Sequence, residues 1–201
     1  VLSPDILLPA LIVAVLSYLA GSVSAAILVC RAMSLQDPRT AGSGNPGATN
    51  VLRVGGKLPA ALTLLGDGLK GFLPVLIASM ASSHPPTIAL AAIAAFLGHL
   101  YPVFFNFEGG KGVATALGAL LGVSLQVGGL ALLTWLAISL TFKRSSLSAL
   151  ATFVLVPVYL LFDSQATYAL AFLLIGAFLF YTHRGNIRRL IDGTEPVIGK
   201  R

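Results

Sequence analysis

This chain has little charge. Only 10% of its 201 residues are Asp, Glu, Lys or Arg, against 56% hydrophobic and a mean hydropathy of +0.90. Ordinary soluble domains carry about 25% charged residues, so a water-solvated globule is excluded and a bilayer protein is expected. Cysteine is nearly absent as well. Cys30 stands alone, which rules out an internal disulfide and suggests an inert packed thiol. Three His and seven scattered Asp and Glu leave little material for zinc or a carboxylate-bridged metal pair.

The scarcity of charge is patterned. Nothing from Ile6 to Cys30, from Gly71 to Phe107 or from Gly112 to Phe142 is charged, and about 20 apolar residues suffice for a helix to cross about 30 Å of hydrocarbon. The apolar runs show no short alternation of a barrel, so the fold class is all-α, a polytopic integral membrane protein forming a single transmembrane domain over 1–201. Spans are predicted near 6–30, 58–81, 87–106, 113–121, 125–142, 147–162 and 165–182, the first a retained span rather than a cleaved signal.

The run from Gly112 to Phe142 is too long for one crossing and short for two. Basic residues arbitrate. Of the 13 Lys and Arg, Lys70 lies inside a span. A single crossing would divide the others, with Arg31, Arg39, Arg53, Lys57 and Lys111 opposed to Lys143, Arg144, Arg184, Arg188, Arg189, Lys200 and Arg201. An in-and-back excursion puts all of them on one face, the cytoplasmic one by the positive-inside rule. The prediction is therefore about seven helices including one short half-span, with the N-terminus outside and the C-terminus inside. The net charge of +6 reads as this topology signal, not as nucleic-acid affinity.

Three segments on that face carry polar chemistry. In Gly42-Ser43-Gly44-Asn45-Pro46-Gly47-Ala48-Thr49-Asn50-Val51-Leu52-Arg53, Pro46 suits the first helical position with Asn45 as cap. The N-terminal N–H groups are then free, Thr49 and Arg53 share a face at i,i+4, and Asn50 joins Arg53 at i,i+3, a plausible phosphate cradle. The alternative is a glycine-rich turn with Arg53 solvated at the headgroups. In Glu108-Gly109-Gly110-Lys111-Gly112-Val113-Ala114-Thr115, the glycines let backbone amides approach an anion while Lys111 adds a charge and the half-span its dipole. A Walker A loop is excluded by Phe105 and Gly112, which stand where Gly and Ser or Thr are required. A tight turn with a snorkelling lysine is the alternative. The third segment runs from His183-Arg184-Gly185-Asn186 to Glu195, and a helix there puts His183 and Asn186 on one face; a basic tail on anionic lipid is the competing account.

Other polar positions read less sharply. Asp67 and Lys70, at i,i+3 near mid-membrane, can neutralise each other. His99 reads as a packing histidine. Ser145 and Ser146 can bond a substrate oxygen or cap the next helix. Acyltransferases that use His and Asp separated by four residues are excluded, because Ala89, Phe104 and Arg188 stand five after the three histidines.

The three segments together resemble the signatures of the bacterial acyl-phosphate:glycerol-3-phosphate acyltransferases, the PlsY family: G-S-G-N-x-G-A-T-N-x-x-R at Gly42 to Arg53, G-G-K-G-x-A-T at Gly109 to Thr115, and H-x-x-N-I-x-R-L-x-x-G-x-E at His183 to Glu195. The resemblance covers nearly the whole chain. It implies acylation of glycerol 3-phosphate at position 1 by a fatty acyl phosphate, giving lysophosphatidic acid and phosphate, the first acylation of phospholipid synthesis. No coenzyme A, acyl carrier protein, metal or nucleic acid is implied, and the expected location is the bacterial cytoplasmic (inner) membrane. By matching position, Ser43, Asn45, Thr49, Asn50, Arg53, Gly109, Gly110, Lys111, Gly112, Thr115 and Ser146 are expected to bind substrate and phosphate. His183 and Asn186 are expected to serve the glycerol hydroxyl, with either His183 or a substrate phosphate as base. A transporter of a phosphorylated solute is the competing function; it would place its polar groups near the midplane. A lipid-binding structural protein would need no glycine-loop chemistry.

Overall fold

The structure, a computed structural model, describes residues 4–198; Lys200 and Arg201, used in the charge count, lie outside the described residues. The helices are α1 (Pro4–Gly21), α2 (Ala25–Ala32), α3 (Ala48–Gly55), α4 (Lys57–Ala81), α5 (Pro85–Leu100), α6 (Val113–Val123), α7 (Leu125–Phe142), α8 (Ser145–Phe162), α9 (Ala166–Thr182) and α10 (Arg184–Ile191), with a 3₁₀ turn at Val103–Phe105. There is no strand among the described residues.

Five stretches are long and apolar enough to cross a membrane, and α9 with α10, bent by 64°, makes a sixth. The expectation was about seven; the segment expected as a half-span is α6, a shorter apolar helix of 11 residues, or about 16 Å of helix. Exposed Leu, Ile, Met and Phe side chains such as Leu65, Ile77, Met80, Leu133, Leu140 and Phe162 face outward, as a lipid-facing surface requires.

The first span is not one helix. It breaks at Ser22-Val23-Ser24, where the Ser22 amide and hydroxyl both donate to Tyr18 O, and the Lys70 ammonium donates to the freed Val23 carbonyl at 2.8 Å. A helix carbonyl released within hydrocarbon needs such a donor. The apolar pattern runs straight through the break and gives no warning of it.

Glycine sets the closest helix contacts. A Cβ on Gly21 would lie 2.1 Å from Ala95 O, and one on Gly98 2.2 Å from Tyr18 O, so α1 and α5 touch backbone to backbone. Gly71 against Thr115 O and Gly118 against Gly68 O, each 2.0 Å from a notional Cβ, do the same for α4 and α6. Small residues replace the hydrophobic effect as the means of helix association in lipid. The core between α5, α6, α8 and α9 is filled by Phe96, Leu120, Val156, Phe172, Ile175 and Leu179.

At Ser124 the chain reverses: its hydroxyl accepts from Val127 N at 3.2 Å to start α7, and Gly128 packs on Leu121. The run from Gly112 to Phe142 therefore goes in and comes back, which returns Lys143 to the same end of the bundle as Lys111.

Candidate functional site

Four segments converge at that end. The first is the loop into α3. Arg39 is paired with Asp37 at 2.8 Å and reaches Glu108 at 3.1 Å, tying this loop to the glycine turn. The Arg39 guanidinium's hydrogen bonds hold the Asp37 carboxyl below its usual range, against the opposing effect of burial. Asn50 is buried and fully committed: its Nδ2 donates to Pro38 O and Ala41 O, and its Oδ1 accepts from Ser43 N. It therefore holds the loop closed, with Gly42 and Gly44 at positive φ. Helix α3 begins at Ala48 with Gly47 as its N-cap, not at Pro46 capped by Asn45, because Gly47 N turns back to Asn45 O at 2.9 Å. The displaced start leaves the Ala48 and Thr49 amides without acceptors among the described residues.

The glycine turn behaves differently from its sequence reading at one position. Gly110 N–H donates to His99 O at 3.2 Å, so that amide faces the bundle and not an anion. A Cβ on Gly109 would lie 2.1 Å from His99 O, and Gly112 has φ +89 with Phe96 against it. Glycine is needed here for close seating on the end of α5. The amides of Lys111 and Gly112 and of the first residues of α6 have no acceptor among the described residues, which is the arrangement that attracts anions to helix N-termini. Thr115 points the other way, into the bundle, with its hydroxyl 3.1 Å from His99 Nδ1.

The third and fourth segments lock together. Lys111 Nζ donates to Asn186 Oδ1. Glu195 Oε1 accepts from Asn186 Nδ2 and Ser146 Oγ at 2.6 Å each, and its Oε2 accepts from Arg189 Nε at 2.8 Å. Burial alone would raise the Glu195 pKa, but the hydrogen bonds from Ser146, Asn186 and Arg189 and the Arg189 charge bring it below the ordinary glutamate value. Ser146 is thus bound to Glu195, whereas Ser145 Oγ lies 3.2 Å from Thr49 Oγ1 and bridges the first segment to the start of α8. Neither serine is the N-cap of α8, a position held by Arg144.

His183 sits at the bend between α9 and α10. Its Nδ1–H donates to Leu179 O at 2.8 Å, which fixes the tautomer and leaves Nε2 as a lone-pair acceptor with no protein partner among the described residues. Only 3% of the residue is exposed. Burial, aided by the Lys111 charge and opposed by the Leu179 bond and Glu195, pushes its pKa down to about 4. Burial likewise lowers the Lys111 pKa to about 8; Glu195 resists this, and Arg189 and Arg53 add to it. Arg53 is half-buried, close enough for its field to reach Lys111, and forms no ion pair among the described residues.

Sequence reasoning missed Glu195 as the hub, Ser145 as the bridge and His99 as the seat of the glycine turn. Glu195 had a usable signal, a lone glutamate closing a strongly basic segment. No three His, Cys, Asp or Glu side chains converge as metal ligands among the described residues.

Cations, free helix amides and an imidazole lone pair at one end of a lipid-exposed bundle define a multi-pass membrane protein with its polar chemistry gathered on a single side. The chain belongs to the glycerol-3-phosphate acyltransferase family, whose model matches residues 11–193. It is 56% identical over 184 residues to the glycerol-3-phosphate acyltransferase of Methylococcus capsulatus, covering 91% of this chain and 93% of that one. It is 55% identical to that of Thioalkalivibrio sulfidiphilus, with 92% of each chain covered. A crystal structure of PlsY, described as an integral membrane glycerol 3-phosphate acyltransferase in its glycerol 3-phosphate form, superposes with a TM-score of 0.90 at 38% identity, covering 94% of this chain and 96% of that one. The lysophosphatidic acid form of PlsY gives 0.88 at the same identity, covering 94% and 95%.

Proposed function

We propose that the chain, acting as one transmembrane domain, transfers a fatty acyl group from an acyl phosphate to the 1-hydroxyl of glycerol 3-phosphate, releasing lysophosphatidic acid and inorganic phosphate. The glycerol oxygen attacks the acyl carbonyl carbon, the bond from that carbon to the phosphate oxygen breaks, and the hydroxyl proton leaves on a phosphate oxygen. The glycerol 3-phosphate and lysophosphatidic acid forms of PlsY support the acceptor and the product.

The donor reading rests on one observation. His183 offers a lone pair from a fixed tautomer, but with a pKa of about 4 it is a feeble base. It can orient the hydroxyl, as Asn186 beside it can, but it cannot strongly activate it. A pre-activated mixed anhydride asks for little more than placement and stabilisation of the developing charge. Lys111, Arg53 and the amides at the starts of α3 and α6 supply positive potential for two phosphates, and the Thr49 and Ser145 hydroxyls, 3.2 Å apart, offer further hydrogen-bond partners.

The test is to supply the protein in lipid vesicles with glycerol 3-phosphate and either palmitoyl phosphate or palmitoyl coenzyme A. Lysophosphatidate is expected from the phosphate; product from the thioester alone would overturn the donor reading. The site is placed on the cytoplasmic face of the bacterial inner membrane, with the N-terminus outside, on the strength of the basic residues gathered there. Cysteine introduced at Ser83 or Ser164 should then react with an impermeant thiol reagent added to intact cells, and cysteine at Ser43 should not.

A further inference from the structure

Directly beneath the glycine turn lies a polar cluster that the proposed reaction does not use. His99, at the end of α5, is buried; its Nδ1 is 3.1 Å from Thr115 Oγ1 of α6 and 3.6 Å from Asp67 Oδ1 of α4. Asp67 is charge-paired with Lys70 at 2.8 Å, an approach off the line of a good hydrogen bond, and Lys70 is anchored on the Val23 carbonyl at the break between α1 and α2. The other side of the imidazole meets the glycine turn: a Cβ on Gly110 would lie 2.3 Å from His99 Nε2, and the Gly110 amide donates to His99 O.

From this geometry we infer that His99 is a positioning residue for the anion-binding turn, acting through Gly110 and Thr115, an inference that rests on the phosphate-binding reading of that turn. The imidazole works as a spacer of fixed height. Below, the Asp67 carboxylate, paired with Lys70, lies 3.6 Å from Nδ1; to the side, the Thr115 hydroxyl at 3.1 Å sets the rotation of α6; above, Gly110 rests on the edge of the ring. Height and rotation together determine where Lys111 Nζ and the free amides of α6 point. Packing alone needs no such polar chain across three helices, and a buried polar group is costly unless it is satisfied.

A double-mutant cycle tests this with protein in lipid vesicles. His99→Ala should raise KM for one phosphorylated substrate at least about tenfold while kcat changes less, because the turn sinks into the vacated space. Gly110→Ala alone should impair binding, since its methyl group collides with Nε2. Combined with His99→Ala, the methyl loses its collision with the imidazole and keeps only the 3.0 Å approach to Pro46 O, and KM should recover in part relative to the product of the single effects. Thr115→Val, which keeps the shape and removes the hydroxyl, should shift the same KM in the same direction by a smaller factor, and serves if His99→Ala does not fold. Multiplicative effects in the cycle, or Thr115→Val with both KM values unchanged, would overturn the inference. If the wild type proves to use another acyl donor, the proposed function falls by itself, and the same comparison of KM values with that donor still decides the role of His99.

Discussion

The molecule contains two buried clusters of the same composition, each with one lysine, one carboxylate and one histidine. Lys70, Asp67 and His99 lie between the helices; Lys111, Glu195 and His183 lie at the end of the bundle. In the inner cluster, the lysine is spent on a backbone carbonyl and a carboxylate, and the histidine on Asp67, Thr115 and the glycine turn. In the outer one, His183 Nε2 has no protein partner, and Arg53 adds charge that no carboxylate balances. The same three side-chain types thus make a brace in one place and the candidate site in the other. What separates them is cationic charge left over in the outer one.

Substitutions can sharpen that contrast. The largest effect is expected from Lys111→Met, which removes a cation that Asn186 holds in the candidate site. The loss of such a preorganised charge is expected to cost about 10²–10³ in kcat/KM, measured as lysophosphatidate formation. Because Lys111 is charged only below its pKa of about 8, kcat/KM should fall as pH rises through about 8, and Lys111→Arg should remove that limb. A wild-type profile that stays flat through pH 9 would deny Lys111 its role.

His183→Asn comes next. If the imidazole positions the hydroxyl, an amide can stand in, and the loss should be about tenfold, the worth of one neutral hydrogen bond. His183 stays neutral above pH about 4, so any limb near pH 6 belongs to the phosphate of the substrate and should survive the substitution. Abolished turnover in both Asn and Gln variants that still bind glycerol 3-phosphate would make His183 the base. The smallest effect belongs at the rim. Glu108 is largely exposed, and Arg39 keeps Asp37 when Glu108→Gln is made; an exposed pair is worth about 0.2–1 kcal/mol, so KM should move less than about fivefold.

The edges of the long helices were legible because hydropathy changes sharply there; α4, for instance, runs Lys57–Ala81 against an expected 58–81. The in-and-back course of α6 and α7 was also legible, through the distribution of Lys and Arg. The break at Ser22-Val23-Ser24 was not, since the lysine that stabilises it lies far along the chain at Lys70. Asn50 looked like a ligand because Asn in a glycine-rich loop can face in or out, and only the folded loop shows its amide bonded to three backbone groups. Gly110 is the same kind of case: a glycine free to approach an anion and a glycine seated on a histidine have one sequence.

The glycine contacts between α4 and α6 bear on how the protein behaves outside a bilayer. Gly68, Gly71 and Gly118 bring the two backbones into direct touch, so no side chain at that seam can swell or be wetted. Attraction of this kind comes from close atomic contact, which does not depend on whether lipid or detergent surrounds the helices. The short helix that follows Lys111 is therefore clasped by direct backbone contact with α4, and extraction from the membrane should leave its aim unaltered.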